Sequence, residues 1–160
     1  MPSPYIDALK MLGRRELSEV QIRQRLSRKG YPDDEIDDAV RRLKDERALD
    51  DRRVAEAIAR TEVVVKRRGR SRVLRQIEQA GIPAAVARDA VSEVFGEVDD
   101  DALMQAALGR RLRGDRPIAD RREFERLFRY LTAQGFESGR ILKALNARRG
   151  PSAAAAEDAD

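Results

Sequence analysis

The sequence predicts an all-α protein: three tandem three-helix repeats that form an elongated, curved molecule. Three observations lead there. The composition is 39% charged and only 4% aromatic, with no Trp, which favours small helical units over one large core. Three glycines, Gly30, Gly81 and Gly135, each close a helical pattern and precede an apolar residue, at spacings of 51 and 54 residues. Matched apolar positions accompany them. Leu26, Ile77 and Leu131 stand four before each glycine, and Ile22, Val73 and Leu127 eight before. Tyr31, Ile82 and Phe136 follow directly. Ala39, Ala90 and Ala144 come nine after, each followed by Val40, Val91 or Leu145. Apolar residues four apart share one helix face. Repeats of this size stack on their neighbours.

The elements follow in order. "YIDALKMLGRR" reads as a first helix, and Ser18 with Gln21 three later is a capping box for a second. Gly30 takes the left-handed cap that ends it, and Tyr31 folds back onto it. "YPDDEIDDAVRRL" puts Pro and acids at the start of a third helix, as the helix dipole favours. "DDRRVAEAIARTEVV" opens the second repeat. Gly69 marks the turn to a helix from near Ser71, and Pro83 sits in the first turn of the next. "DDDALMQAALGRRL" opens the third repeat, and Asp120 with Glu123 resembles a second capping box. The resulting boundaries are 1–50, 51–98 and 99–150, with 151–160 a disordered acidic tail.

Composition excludes several functions. Without Cys there is no disulfide framework and no thiolate metal site. Without His the commonest general base and metal ligand are missing. No phosphate loop, GxGxxG or GxSxG motif occurs. Asp50-Asp51 and Asp99-Asp100-Asp101 lie at helix starts, where capping explains them better than Mg²⁺ binding. The expectation is no enzyme and no cofactor. No apolar run reaches membrane-spanning length, and "MPSPYIDALK" lacks the pattern of a signal peptide, so a cytoplasmic protein without a membrane partner is expected.

The candidate site is basic. Residues 1–50 carry 11 basic and 11 acidic side chains, residues 51–98 carry 10 and 7, and residues 99–150 carry 12 and 8. The excess suggests an anionic partner. Its densest part is "VVVKRRGRSRVLRQI", with Lys66, Arg67, Arg68, Arg70, Arg72 and Arg75 and no acid among them. Arg110, Arg111 and Arg113, with Arg116 after them, form a second group at the end of a first helix, and Arg14 and Arg15 hold the matching place in the first repeat. Two readings stand side by side. Cations at helix ends complement the dipole, and a ligand tracked by successive units gives the same recurrence. For a nucleic acid, phosphate contact is more credible than base reading, because the segment has no aromatic for stacking.

The chain resembles the RecX family, regulators of the bacterial RecA recombinase. "ALKMLGRRELSEVQIRQRLSRKGY", "LDDRRVAEA", "RGRSRVLRQIEQAGI" and "LTAQGFESGRILKAL" carry the resemblance, from about Tyr5 to Arg149. Leu49-Asp50-Asp51 with Arg53 and Ala55 is its most specific piece. Departures are Val54 where the family has Phe, Gln21-Ile22 and Gln76-Ile77 where it has Glu-Leu, and Arg70 where it often has Pro. The resemblance implies a monomer that lies in the groove of the RecA–DNA filament and inhibits its recombinase, ATPase and co-protease activities. It supplies no catalytic residues. A direct DNA-binding repeat protein acting without RecA is the alternative.

Overall fold

The computed structural model describes residues 2–150, so the expected acidic tail at 151–160 lies outside the described residues. Among them are nine helices: α1 (Pro4–Arg14), α2 (Glu19–Arg28), α3 (Asp33–Asp45), α4 (Asp51–Val64), α5 (Arg70–Gln79), α6 (Ala84–Phe95), α7 (Asp100–Leu108), α8 (Arg121–Ala133) and α9 (Ser138–Asn146). The all-helical expectation holds. The helices distribute over two compact units. The first runs to Ala59 and takes in Leu74–Glu93; the second is Arg60–Val73 with the chain from Val94 onward.

In the first unit, α1, α2 and α3 enclose Ala8, Leu17, Ile22, Leu26, Ile36, Val40, Leu43 and Leu49. The capping box is present in full. The Ser18 hydroxyl accepts from the Gln21 N–H, and the Gln21 side chain accepts from the Ser18 N–H. The same hydroxyl donates to the Ala80 carbonyl at 2.5 Å. It therefore joins the start of α2 to the end of α5, across 62 residues of chain. Beside it, α2 lies so close to the Gly81 turn that a Cβ on Gly81 would stand 2.7 Å from that of Val20.

The Leu49-Asp50-Asp51 piece has a structural meaning in this unit. Asp50 caps α4, accepting from the N–H groups of Arg52 and Arg53. Asp51 instead accepts the Glu19 N–H at 2.9 Å, filling an orphan donor at the start of α2. Burial pushes its carboxyl upward. Arg53 donates to Glu16 and to the carbonyls of Arg47 and Ala48, and so fixes the turn into α4.

On the same unit's surface, the Tyr31 hydroxyl donates to Asp7 at 2.7 Å and Lys29 donates to the same oxygen at 3.1 Å. Both contacts hold the Asp7 carboxyl below its usual range, the tyrosine's more strongly. The bond to Asp7, then burial, raises the Tyr31 hydroxyl from 10.0 to about 12. Tyr31 thus supports the fold fully below its unfolded value and loses that support as the pH climbs through about 12. Asp7 works in the opposite direction. Its contribution is present above 3.8 and is lost as the pH falls through its lowered folded value. In an absorbance titration of the phenolates, Tyr31 is expected to ionise near pH 12. Asp7→Asn is expected to bring that transition down; an unmoved curve would contradict the pairing.

In the second unit, Leu103, Met104, Leu108, Leu112, Ile118, Leu127, Leu131, Ile141 and Leu145 are buried on α7, α8, α9 and the loop between α7 and α8. Asp99 caps α7 and Asp120 caps α8. The Glu123 side chain does not return to the Asp120 N–H as a capping box requires. It accepts from the Ala119 N–H at 2.8 Å and pairs with Arg116, which together hold its carboxyl low. Ile118 also forms a parallel bridge with Arg149.

The three repeat glycines all take positive φ: +91° at Gly30, +81° at Gly81 and +100° at Gly135. Around Gly30 and Gly135, the residue after the glycine bonds back to the matched leucine: Tyr31 to Leu26 and Phe136 to Leu131. These are complete Schellman ends. The matched apolar positions are buried, apart from Tyr31, which is half-buried. Gly69 lies in the turn between α4 and α5, as the sequence suggests, without being its left-handed residue. The left-handed residue of the α4–α5 turn is Arg67, φ +54°. Gly69 is required for another reason. A Cβ on it would stand 2.5 Å from the Gly135 carbonyl oxygen, with the Phe136 ring at 2.9 Å.

Candidate functional site

The α4–α5 turn gathers much of the predicted basic site, and its centre is an acid. Glu62 is 3% exposed. Lys66 donates to one of its oxygens at 2.9 Å and Arg68 to the other at 2.6 Å. The Glu62–Lys66 pair has the i,i+4 order that suits a helix. Arg68 returns from beyond the helix end, and its own N–H bonds to the Glu62 carbonyl at 3.1 Å. From the turn after α7, Arg110 donates to the carbonyl of Val65 at 2.6 Å and to that of Lys66 at 3.4 Å. These carbonyls lie just beyond the last residue of α4, Val64. Cations do meet the negative end of the helix dipole here, but the capping cation arrives from 45 residues away.

The next cations are also engaged. Arg70 lies beside Asp100, with nitrogens 3.1 and 3.3 Å from its two oxygens, and over the ring of Phe95 at 5.0 Å. Arg72 donates to the Ala133 carbonyl. Arg111 stacks on Tyr130 at 4.6 Å, beside a cleft lined also by Glu123, Arg126 and Leu127. Arg67, half-buried, and Arg113, exposed, have no side-chain partner among the described residues. Arg75 is exposed on α5 in the part that belongs to the first unit.

Lys66, Arg67, Arg68 and Arg110 are therefore brought together, and Arg70, Arg72, Arg111, Arg113 and Arg75 are not part of that cluster. Six of the nine predicted contacts hold the protein's own carboxylates, carbonyls or rings. Sequence reasoning passed over Glu62. Its i,i+4 relation to Lys66 was visible; its link to Arg68 depends on the turn. It also passed over Asp100 and Asp101 as ion-pair partners, of Arg70 and Arg140 respectively. Val64 and Val65 are 62% and 61% exposed, which the helical pattern alone does not reveal. Among the described residues no group of acids could hold a metal ion, and no helix is long and apolar enough to cross a membrane.

Known proteins share this architecture. Residues 5–43 match the family model described as RecX, first three-helix domain. The chain is 30% identical over 146 residues to the regulatory protein RecX of Syntrophotalea carbinolica, covering 91% of this chain and 95% of that one. It is 32% identical to that of Halorhodospira halophila, covering 94% and 87%. The crystal structure of RecX from Lactobacillus salivarius superposes with a TM-score of 0.72 at 19% identity, covering 90% of this chain and 95% of that one. A second RecX crystal structure gives 0.74 at 23% identity, with coverage of 90% and 70%.

Proposed function

The chain belongs to the RecX family of regulatory proteins, and from that premise we propose that it binds the RecA–DNA filament and restrains its recombinase, ATPase and co-protease activities in the cytoplasm. One observation carries the proposal: the relationship runs through 91% of the chain, not through one motif. The division into repeats at 1–50, 51–98 and 99–150 belongs to the same proposal. Stacked helical repeats offer a surface that successive filament subunits can occupy. The protein acts by occupancy and needs no cofactor.

The arrangement of charge refines how it would bind. Lys66, Arg68, Arg70, Arg72, Arg110 and Arg111 shape the surface through internal contacts. Arg67, Arg75 and Arg113 remain for an outside anion, whether phosphate or carboxylate. The direct test is RecA-dependent ATP hydrolysis on single-stranded DNA. Substoichiometric addition of this protein is expected to lower it; undiminished hydrolysis with the cognate RecA would overturn the proposal.

The alternative of a DNA-binding protein acting without RecA draws on those same three cations. If each neutralised one phosphate on duplex DNA, affinity would fall with salt at a log–log slope of roughly −2.7. Binding to bare DNA with that slope or steeper, and no preference for RecA-coated DNA, would favour the alternative.

A further inference from the structure

We propose that the α4–α5 turn is a docking tip whose valine pair, Val64 and Val65, enters an apolar slot rimmed by carboxylates on a protein partner. This deepens the function proposed above and rests on it, the partner being the recombinase subunit of the filament and not its nucleic acid.

The first ground is exposure. Val64 and Val65 are 62% and 61% exposed, adjacent, and the most exposed large apolar residues of the described chain. Ile6, Val20 and Leu142 are less exposed and stand singly in the sequence. Scattered apolar residues on a surface are ordinary. A neighbouring pair at the end of α4, where a built turn begins, is not.

The second ground is rigidity. Lys66 and Arg68 close on the buried Glu62 below the pair. Arg110 grips the carbonyls of Val65 and Lys66. The Gly69 N–H donates to the Gln134 carbonyl at 2.8 Å. Valine has few side-chain rotamers to lose. A pre-ordered tip of this kind surrenders little entropy on binding.

The third ground is charge. Lys66, Arg67 and Arg68 follow the pair and Arg110 reaches the Val65 carbonyl, against one buried acid, Glu62 on α4. Lys66 and Arg68 share that acid, so the turn keeps a net positive charge, with Arg67 free of any side-chain partner among the described residues. The tip is thus apolar at its point and positive around it, which complements an apolar slot with carboxylates at its edge. A phosphate backbone would use the cations and leave the valines in water. The stacking platforms of single-strand binders are aromatic, and there is none in residues 60–73.

The test compares wild-type protein with Val64→Ser/Val65→Ser and with Val64→Ile/Val65→Ile, on RecA-coated and on bare single-stranded DNA. Both positions face water, so both variants are expected to keep the native melting temperature. The serine pair is expected to weaken binding to the coated strand at least tenfold, and to leave any binding to the bare strand unchanged. The isoleucine pair is expected to stay within about threefold of wild type. Wild-type binding with no loss in the serine pair would overturn the docking tip and leave the function standing. Equal losses on coated and bare DNA would place the contact on nucleic acid and also overturn it. A wild-type protein that does not bind the coated strand would remove the function and the tip together.

Discussion

Replacing Gly135 by alanine is expected to lower the unfolding free energy by about 4 kcal/mol, whereas Gly30→Ala costs about 1–2 kcal/mol. Both glycines end a second helix in the same way, with φ of +100° and +91°. The strain of a side chain at positive φ is therefore common to the two. What differs is the surroundings. Nothing lies within 4 Å of a Cβ placed on Gly30. A Cβ on Gly135 would stand 2.5 Å from both the backbone nitrogen and the Cβ of Arg72, and 2.9 Å from the Gly69 carbonyl oxygen. Those atoms belong to the start of a helix and cannot swing aside. The α8–α9 turn has to withdraw instead. Withdrawal breaks the Gly69 N–H bond to the Gln134 carbonyl at 2.8 Å and the Ser71 hydroxyl bond to the Gly135 carbonyl at 3.0 Å. Each bond is worth about 1 kcal/mol, and the packing of Phe136 adds to the loss. At roughly 2–4 °C per kcal/mol for a chain of this size, the melting temperature should fall by roughly 8–16 °C. Equal losses at Gly30 and Gly135 would show that the close approach carries no energy.

The second large effect is expected at Glu62. Glu62→Ala removes the carboxylate that Lys66 and Arg68 share, and should cost about 3 kcal/mol. Most of that comes from Arg68. Its side chain is 19% exposed, so the guanidinium would be left half-dehydrated with no anion beside it. Lys66 is 45% exposed and contributes little, because water replaces its partner. Glu62→Gln keeps an acceptor for Arg68 but not the charge, and should cost about half as much. Denaturant unfolding reads both numbers. An alanine variant of native stability would mean that the pairs seen at this turn do not bear on the fold. Because the same carboxylate steadies the valine tip, weaker filament binding is expected to accompany the stability loss in both variants.

Much of this molecule was legible before its structure. Ser18 and Gln21 announced a capping box, and the box is there. Gly30, Gly81 and Gly135 announced left-handed helix ends, and all three have positive φ. Ile22, Leu26, Val73, Ile77, Leu127 and Leu131 announced a shared inward face, and all six are buried. These signals are local. A cap needs three residues, a helix face needs one turn, and a backbone sign depends on one side chain.

The site was legible only as composition. Arg67 and Arg68 are neighbours of the same type, so no pattern in the sequence separates them. Folding does: Arg68 is bound to Glu62, while Arg67 takes the left-handed position of the turn. Arg70 meets Asp100 from 30 residues away, and Arg110 meets the end of α4 from 45. The sequence by itself determined the helices, their ends and their family, because each is encoded within a few residues or in the order of many. Only the tertiary structure decided which cations face outward, why Gly69 has no side chain, and that two adjacent valines at the end of α4 stay exposed. Those outcomes depend on which carboxylate, carbonyl or backbone arrives within about 3 Å, the separation at which a hydrogen bond forms.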